Sequence, residues 1–204
     1  MKTKEQKLAQ VDELVINLGL TRDEVVDFFT KLPPVKEPKK SRPKIDITQV
    51  KVGMIWYEDD TFSFERTASK KIKAVVELVE DGVIYGDLTA SELFGIPERP
   101  MSWFSAKQFF DKFSYPCKDN EKIVWYNIDQ LQSVYKNYNA VKEAFSKLNK
   151  VYRKSVYWSS TEYKSSVKDS NTFALDIDFN TGSRLVDHQY NCFYVRPVLA
   201  LKVE

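Results

Sequence analysis

The chain has 204 residues, 43% of them apolar, and a formal net charge of +2 at neutral pH, which suits one ordinary domain with an appendage. Residues 1–43 hold nine Lys or Arg and seven Asp or Glu, which leaves 22 basic and 22 acidic residues for the rest. A neutral domain attracts phosphates weakly, so the charge argues against a nucleic-acid partner. No apolar run approaches the roughly 20 residues of a membrane-spanning helix, so no membrane is expected either.

Two amphipathic helices are predicted within residues 1–32. Apolar residues at helical spacing predict the first over residues 5–18, and a capping box of Thr21 and Glu24 begins the second. A hairpin this short cannot bury its apolar stripe alone. We therefore expect residues 5–32 to attach the chain to copies of itself or to a virion or other surface assembly. Docking onto the chain's own C-terminal domain is the alternative.

Residues 33–43 have the composition of a tether. Four prolines and four basic residues among eleven predict a semi-rigid, extended segment. The basic residues could contact nucleic acid or an acidic surface, but a solvated linker is the favoured interpretation. The tether would separate the helical hairpin from a domain of residues 44–204.

Two consecutive β-hairpins are predicted at the start of that domain. Residues 52–57 and 62–66 flank a polar turn, and residues 72–79 and 83–88 flank a turn that contains Asp81-Gly82. Together they predict a small antiparallel sheet that precedes the helices.

Helices are predicted next. Ser102 or Ser105 can cap a helix that runs through Phe113, and Asn127 with Gln130 offers a second cap. The first helix is expected to bury Trp103, Ala106, Phe109, Phe110 and Phe113. Helical spacing continues after the second cap at Ile128, Leu131, Tyr135 and Tyr138, and a further helical stretch carries Val141, Ala144, Phe145 and Leu148. These aromatic side chains are interpreted as core.

Strands close the chain. They are predicted over residues 155–160, 172–179, 184–188 and 192–202, with a turn at Gly182 between the middle two. Asp176 and Asp178 alternate with apolar neighbours, so they are interpreted as the solvated face of this hairpin.

Three sequence blocks occur in an order that is typical of one family. They are Tyr157-Trp158-Ser159-Ser160-Thr161-Glu162-Tyr163, then a strand followed by a turn at Gly182, then Tyr194-Val195-Arg196-Pro197-Val198. Together they resemble the bacterial C-type-lectin-like domain of the collagen-like adhesin C-terminal type. Upstream, Trp103 and Trp125 are similar to the positions that introduce the family's two helices. The family's Arg-Leu-Pro-Thr segment is absent.

The resemblance covers roughly residues 48–201 and implies an α+β fold with two helices against small antiparallel sheets. It also implies a non-enzymatic module that binds a cell-surface glycan or protein. Family members are mostly displayed outside cells, yet residues 1–7 have no signal-peptide pattern. A removed leader, a cytoplasmic protein and a bacteriophage virion protein remain as explanations. We favour the virion, as a head fibre or adhesin component.

Catalytic residues, metals and cofactors are not expected. Glycines are too sparse for a phosphate-binding loop, and one histidine with two cysteines offers no zinc pattern. The resemblance suggests a Cys117–Cys192 disulfide, although unpaired buried thiols are favoured in a chain without an export signal. A purely structural protein is the second reading. An enzyme of the fold's cysteine-oxidising branch is the third.

Two groups of site residues are predicted. The structural signature comprises Trp158, Glu162, Gly182 and Arg196. Glu162 and Arg196 are expected to approach each other or neighbouring backbone groups. The ligand-binding candidates are Asp187, His188, Gln189, Tyr190, Asn191 and Tyr163, because a polar loop with tyrosine suits recognition. An ordinary polar loop is the alternative.

Overall fold

A computed structural model describes residues 44–90, 99–113, 115–164 and 172–203. The predicted hairpin of residues 1–32 and the tether of residues 33–43 lie outside them. Within the described part the fold is mixed α+β, with three α-helices and two antiparallel sheets, so the predicted class is confirmed at this level. None of the helices in these segments is long and apolar enough to cross a membrane.

The described residues contain nine strands and three α-helices. The strands are β1 (Ile55–Tyr57), β2 (Phe62–Ser63), β3 (Ile72–Glu80), β4 (Val83–Asp87), β5 (Glu121–Val124), β6 (Val156–Tyr163), β7 (Phe173–Asp178), β8 (Ser183–His188) and β9 (Val198–Lys202). The helices are α1 (Trp103–Lys112), α2 (Ile128–Lys136) and α3 (Tyr138–Lys147). Short 3-10 helices span Ile47–Gln49 and Leu88–Ala90.

The larger sheet has six antiparallel strands in the order β2-β1-β3-β4-β9-β5. The two predicted hairpins are present, but they do not form a sheet that precedes the helices, because β9 from the chain's end pairs with β4 and with β5. The first four residues of β9 are buried, so this strand needs a neighbour on each edge. Strand β5 was not predicted.

The smaller sheet has the order β6-β7-β8 and contains the predicted hairpin. The last predicted strand, over residues 192–202, is wrong in its first half. Phe193 and Tyr194 make only single bridges, to Met101 and Tyr157, and β9 begins at Val198. Proline at position 197 has no N–H to donate, so a regular ladder cannot run through it.

The helix caps agree with the sequence prediction. Ser102 Oγ accepts the Ser105 N–H at 3.2 Å, and Asn127 with Gln130 forms the full capping box of α2. The predicted burial of α1 is only partly right, since Trp103 and Ala106 are buried but the three phenylalanines are half-buried. These rings stack along the helix surface and on Trp125.

The main core lies between the six-stranded sheet and the pair α2 and α3. Its buried members include Tyr57 and Val75 from the sheet and Leu131 and Phe145 from the helices. A second buried cluster forms around Trp56 and β9. The six-stranded sheet is therefore buried on both faces.

Position 182 requires glycine both for its backbone conformation and for the close approach of Tyr135. Position 82 requires glycine only for its backbone conformation. Both have positive φ, +79° and +76°, but a Cβ on Gly182 would lie 2.2 Å from Tyr135 Cε1, whereas a Cβ on Gly82 meets only the Val203 oxygen at 3.8 Å. Gly82→Ala should lower the free energy of unfolding by about 1 kcal/mol through its backbone conformation. Gly182→Ala should cost about 2 to 5 kcal/mol, because Tyr135 must also move. If urea unfolding gave the same loss of stability for Gly82→Ala and Gly182→Ala, the close approach of Tyr135 to Gly182 would be contradicted.

Candidate recognition surface

The three-stranded sheet has two different faces. Leu175 and Ile177 of β7 point into the main core with helix α2. On the opposite face, Trp158 and Ala174 form a cluster with Trp103 of α1. Alternating side chains of each strand therefore belong to different environments, and the position of a residue in the register decides its face.

A row of aromatic side chains lies at one end of this sheet. Tyr163 is the register partner of Phe173, and Phe173 is in turn the register partner of His188. Directly opposite residues share a face, so the three rings lie side by side. The Phe173 and His188 ring centroids are 5.2 Å apart in an edge-to-face arrangement.

Tyr190 extends the row beyond the sheet. Its ring stacks on His188 with centroids 5.0 Å apart and an interplanar angle of 24°, and its other neighbour is Phe104, at 5.4 Å. Tyr190 is 67% exposed and Tyr163 is 41% exposed. We call Tyr163, Phe173, His188 and Tyr190 the aromatic row. Exposed aromatic rings at both ends of the row, with half-buried rings between them, suit an interaction site.

The orientation of His188 is set by the backbone after it. The Tyr190 N–H donates to His188 Nδ1 at 3.4 Å. A neutral imidazole that accepts through Nδ1 carries its proton on Nε2. The row therefore offers an N–H donor as well as apolar ring faces.

Gln189 anchors the loop and is not a ligand residue. It is 2% exposed, its N–H donates to the Thr172 oxygen at 2.7 Å, and its Nε2 donates to the Phe173 oxygen at 3.1 Å. Its own carbonyl accepts the Trp103 N–H at 2.9 Å. The prediction of Gln189 as a binding residue disagrees with the structure, because its side chain is buried and its Nε2 and both of its backbone polar groups bond within the protein.

Asp187 and Asn191 close the loop on either side of Gln189. Asn191 Nδ2 donates to Asp187 Oδ1 at 2.8 Å, and the Asn191 N–H donates to the His188 oxygen at 2.8 Å. The fold thus brings the predicted loop and the distant Tyr163 to the same end of one sheet, through Phe173. Phe173 was missed as a site residue because its sequence pattern shows only a strand, and the strand register places it between the others.

The signature residues lie in different places. Trp158 is buried and its indole Nε1 donates to the Met101 oxygen at 3.1 Å. Glu162 is half-exposed and its carboxylate is 3.9 Å from Lys107 Nζ. The expected approach of Glu162 to Arg196 was wrong, because Arg196 enters the main core while Glu162 lies beside α1. The expected backbone partner does exist for Arg196, whose Nη2 donates to the Arg153 oxygen at 3.2 Å.

Arg196 is the centre of a buried polar network. Its guanidinium contacts the Asp87 carboxylate and lies 3.7 Å from Glu77 Oε1. It is enclosed by two rings, with centroids 3.9 Å away in Tyr152 and 4.2 Å away in Tyr157. Burial and the nearby Asp87 raise the pKa of Glu77 to about 8. One guanidinium then balances one carboxylate, and a neutral Glu77 accepts from the Tyr152 hydroxyl.

Asp176 departs from the predicted solvated face. It is fully buried beside Trp158, its register partner on β6, whereas Asp178 is half-buried and accepts the Asn180 N–H at 2.8 Å. The prediction of solvent exposure was wrong for Asp176, because alpha-helix α1 and its neighbours cover this face of the sheet. Asp176 is the buried acid closest in sequence to the candidate loop.

The remaining predictions concern a disulfide between the two cysteines and the binding of a metal ion. Cys117 and Cys192 are unpaired, and both are exposed, not buried as the thiol interpretation expected. Partial desolvation by the surrounding chain and the nearby Glu121 raise the pKa of the Cys117 thiol. Across the four described segments, no group of three or more His, Cys, Asp or Glu side chains is placed to hold a metal ion.

Two comparisons with known proteins bear on the identity of the chain. No known protein family matches it, and no curated protein is significantly similar to it.

Proposed function

We propose that this protein is a non-enzymatic binding and display module. Residues 5–32 attach it to an oligomer or another assembly, and residues 44–204 form a C-type-lectin-like domain that presents the aromatic row to a ligand. The observation that carries the proposal is the exposure of this row on a firmly held backbone, with Tyr190 at 67%. The ligand is a glycan or a protein on a cell surface.

The order of the signature blocks supports the lectin-like fold. The Tyr157–Tyr163 block lies in β6, the Gly182 turn joins β7 to β8, and the Arg196 block leads into β9. Trp158 and Arg196, the largest signature side chains, are both buried. They contribute to the core, which leaves the loop after β8 as the part that can vary in contact with a ligand.

The chemistry of the row supports binding. Aromatic side chains provide a large contact area with few rotatable bonds, so they lose little conformational entropy when a ligand orders them. The buried Gln189 holds the loop to Trp103 and Thr172 in advance. A pre-organised aromatic surface of this kind binds without a further ordering cost.

A bacteriophage head fibre or adhesin component requires the same two ends, one for assembly and one for display. The Pro- and Lys-rich residues 33–43 would separate them. The motif resemblance and the exposure of the aromatic row together support this class for the protein.

Binding of the full chain to a panel of bacterial cells and isolated envelope glycans tests the proposal. Tyr190→Ala should weaken binding by about 30-fold, as for a typical aromatic hot spot, while changing the free energy of unfolding by less than about 0.5 kcal/mol. Val151→Ala is the matched control, because Val151 is 83% exposed and lies outside the aromatic row. Absence of any binding by the unmodified chain would overturn the proposal and favour a purely structural protein. Equal binding by the two variants would remove the aromatic row as the site.

A further inference from the structure

Asp176 is a buried acid without a hydrogen-bond donor. Its side chain is fully buried, and within the described segments neither carboxylate oxygen accepts a hydrogen bond. Its register partners are Trp158 on β6 and Leu185 on β8, which offer it no donating side-chain group on that face except the indole, already bonded to Met101. An ionised carboxylate in such a place has a large desolvation cost.

A second acid lies diagonally across the sheet from Asp176. Asp187 is the register partner of Ala174, so it lies on the same face of the sheet as Asp176, one diagonal step away. Burial, and after it Asp187, raises the pKa of Asp176 from its ordinary 3.8 to about 7. Two ionised carboxylates are both acceptors, so the pair can form a hydrogen bond only when one of them carries a proton.

We propose that Asp176 and Asp187 share one proton and that this proton holds the loop of residues 187–191 in the position that presents the aromatic row. The shared proton is a property of this sheet by itself. Its consequence for recognition rests on the proposed function.

The connection from the acid pair to the row is short. Asp187 Oδ1 accepts from Asn191 Nδ2, and His188 follows directly in the strand. When the proton is lost, the buried Asp176 and the half-buried Asp187 both carry a negative charge on the same face of the sheet. Asp187 is half-buried in the edge strand β8, so its outward movement relieves the repulsion more easily than movement of Asp176. That movement displaces Asn191, which is bonded to Asp187, and the stacked rings of His188 and Tyr190.

The other charges on this face do not replace the proton. Asp178 adds a further negative charge from the same strand, and Glu162 of β6 is paired with Lys107 of α1. Lys107 is half-exposed. Arg184 of β8 belongs to the opposite face and pairs with Asp129. Among the described residues, a proton is therefore the available source of positive charge for this pair.

Amide hydrogen exchange of residues 187–191 in the full chain, at pH 6 and pH 8 and corrected for intrinsic exchange rates, tests the shared proton without any ligand. In the unmodified protein the loop-opening equilibrium should increase about tenfold between the two pH values, since one pKa unit corresponds to a factor of ten. Asp176→Asn should remove this dependence. Asp178→Asn is the matched control on the same strand and should retain it.

Three outcomes would overturn the proposal. They are an unmodified loop whose protection is the same at both pH values, an Asp176→Asn variant that keeps the full dependence, and an Asp178→Asn variant that loses it. If Asp176→Asn does not fold, Asp187→Asn removes the same charge pair from the edge strand and should give the same loss of dependence. Binding to bacterial cells at the two pH values then tests the consequence separately, so failure of the proposed function leaves the exchange result intact.

Discussion

Replacement of Arg196 by methionine is expected to lower the free energy of unfolding by about 3 to 5 kcal/mol, because it leaves a charge in the core without its partner. Arg196 is 2% exposed and its guanidinium contacts the Asp87 carboxylate, which is itself fully buried. Methionine fills much of the volume between Tyr152 and Tyr157, so the loss reports the uncompensated Asp87 and not a cavity. Urea unfolding followed by tryptophan fluorescence measures it.

Two further variants define what Arg196 contributes. Lys107→Met removes a half-exposed cation 3.9 Å from Glu162, and we expect a loss of less than about 1 kcal/mol. Combining Arg196→Met with Asp87→Asn should be less damaging than the sum of the single changes, because the buried charge is then absent as well. An Arg196→Met variant no less stable than Lys107→Met would show that the buried pair does not support the fold.

The second large effect is a pH dependence caused by Glu77. Its folded-state pKa is raised to about 8 from an ordinary value of 4.5, so the folded chain holds a proton that the unfolded chain has released. This contribution is fully present below pH 4.5, decreases as the pH rises, and is lost above about pH 8. We expect it to lower the free energy of unfolding by roughly 3 to 5 kcal/mol across that window.

Glu77→Gln should remove this dependence of the free energy of unfolding on pH, since glutamine is neutral and has the same shape as the protonated acid. The variant should approach or exceed the stability of the unmodified chain at pH 8, and urea unfolding between pH 4.5 and pH 9 compares the two. Glu80→Gln is the matched control at the half-buried end of the same strand. Asp176 contributes a slope of the same sign that ends at about pH 7, and Glu77→Gln should retain it. A Glu77→Gln curve parallel to that of the unmodified chain would contradict a protonated Glu77.

The buried network also gives Arg196, a residue of the structural signature, a role in holding the fold together. The Tyr157 hydroxyl, on β6, donates a hydrogen bond to the Arg153 oxygen and accepts one from Arg196 Nη2 at 2.7 Å. Arg196 therefore joins the chain before β9 to the first strand of the smaller sheet. The same sheet carries the aromatic row, so damage to this network should alter the proposed recognition as well as stability.

Local features were predictable because neighbours in sequence create them. The capping box of Asn127 and Gln130 and the turn at Asp81-Gly82 each involve residues within three positions of each other. The positive φ of Gly182 belongs to the same class. The α+β class followed from helical and alternating patterns, which are also local.

The candidate site was predictable only in part. A polar loop that contains tyrosine indicated residues 187–191, but a buried glutamine and an exposed one have the same sequence signal. Gln189 became an anchor because its carbonyl meets the Trp103 N–H, which lies far away in the chain. Phe173 joined the row through its register with Tyr163 and His188. No pattern within one strand gives that register.

By itself the sequence determined where helices and turns begin, which strands alternate, and which aromatic and polar residues were available. Only the tertiary structure decided that β9 lies between β4 and β5, that Asp176 is buried, and that Arg196 pairs with Asp87, 109 positions away. The physical reason is range. Caps and turns depend on backbone groups a few residues apart, whereas burial and charge pairing depend on which distant segments share a sheet face after the chain has folded.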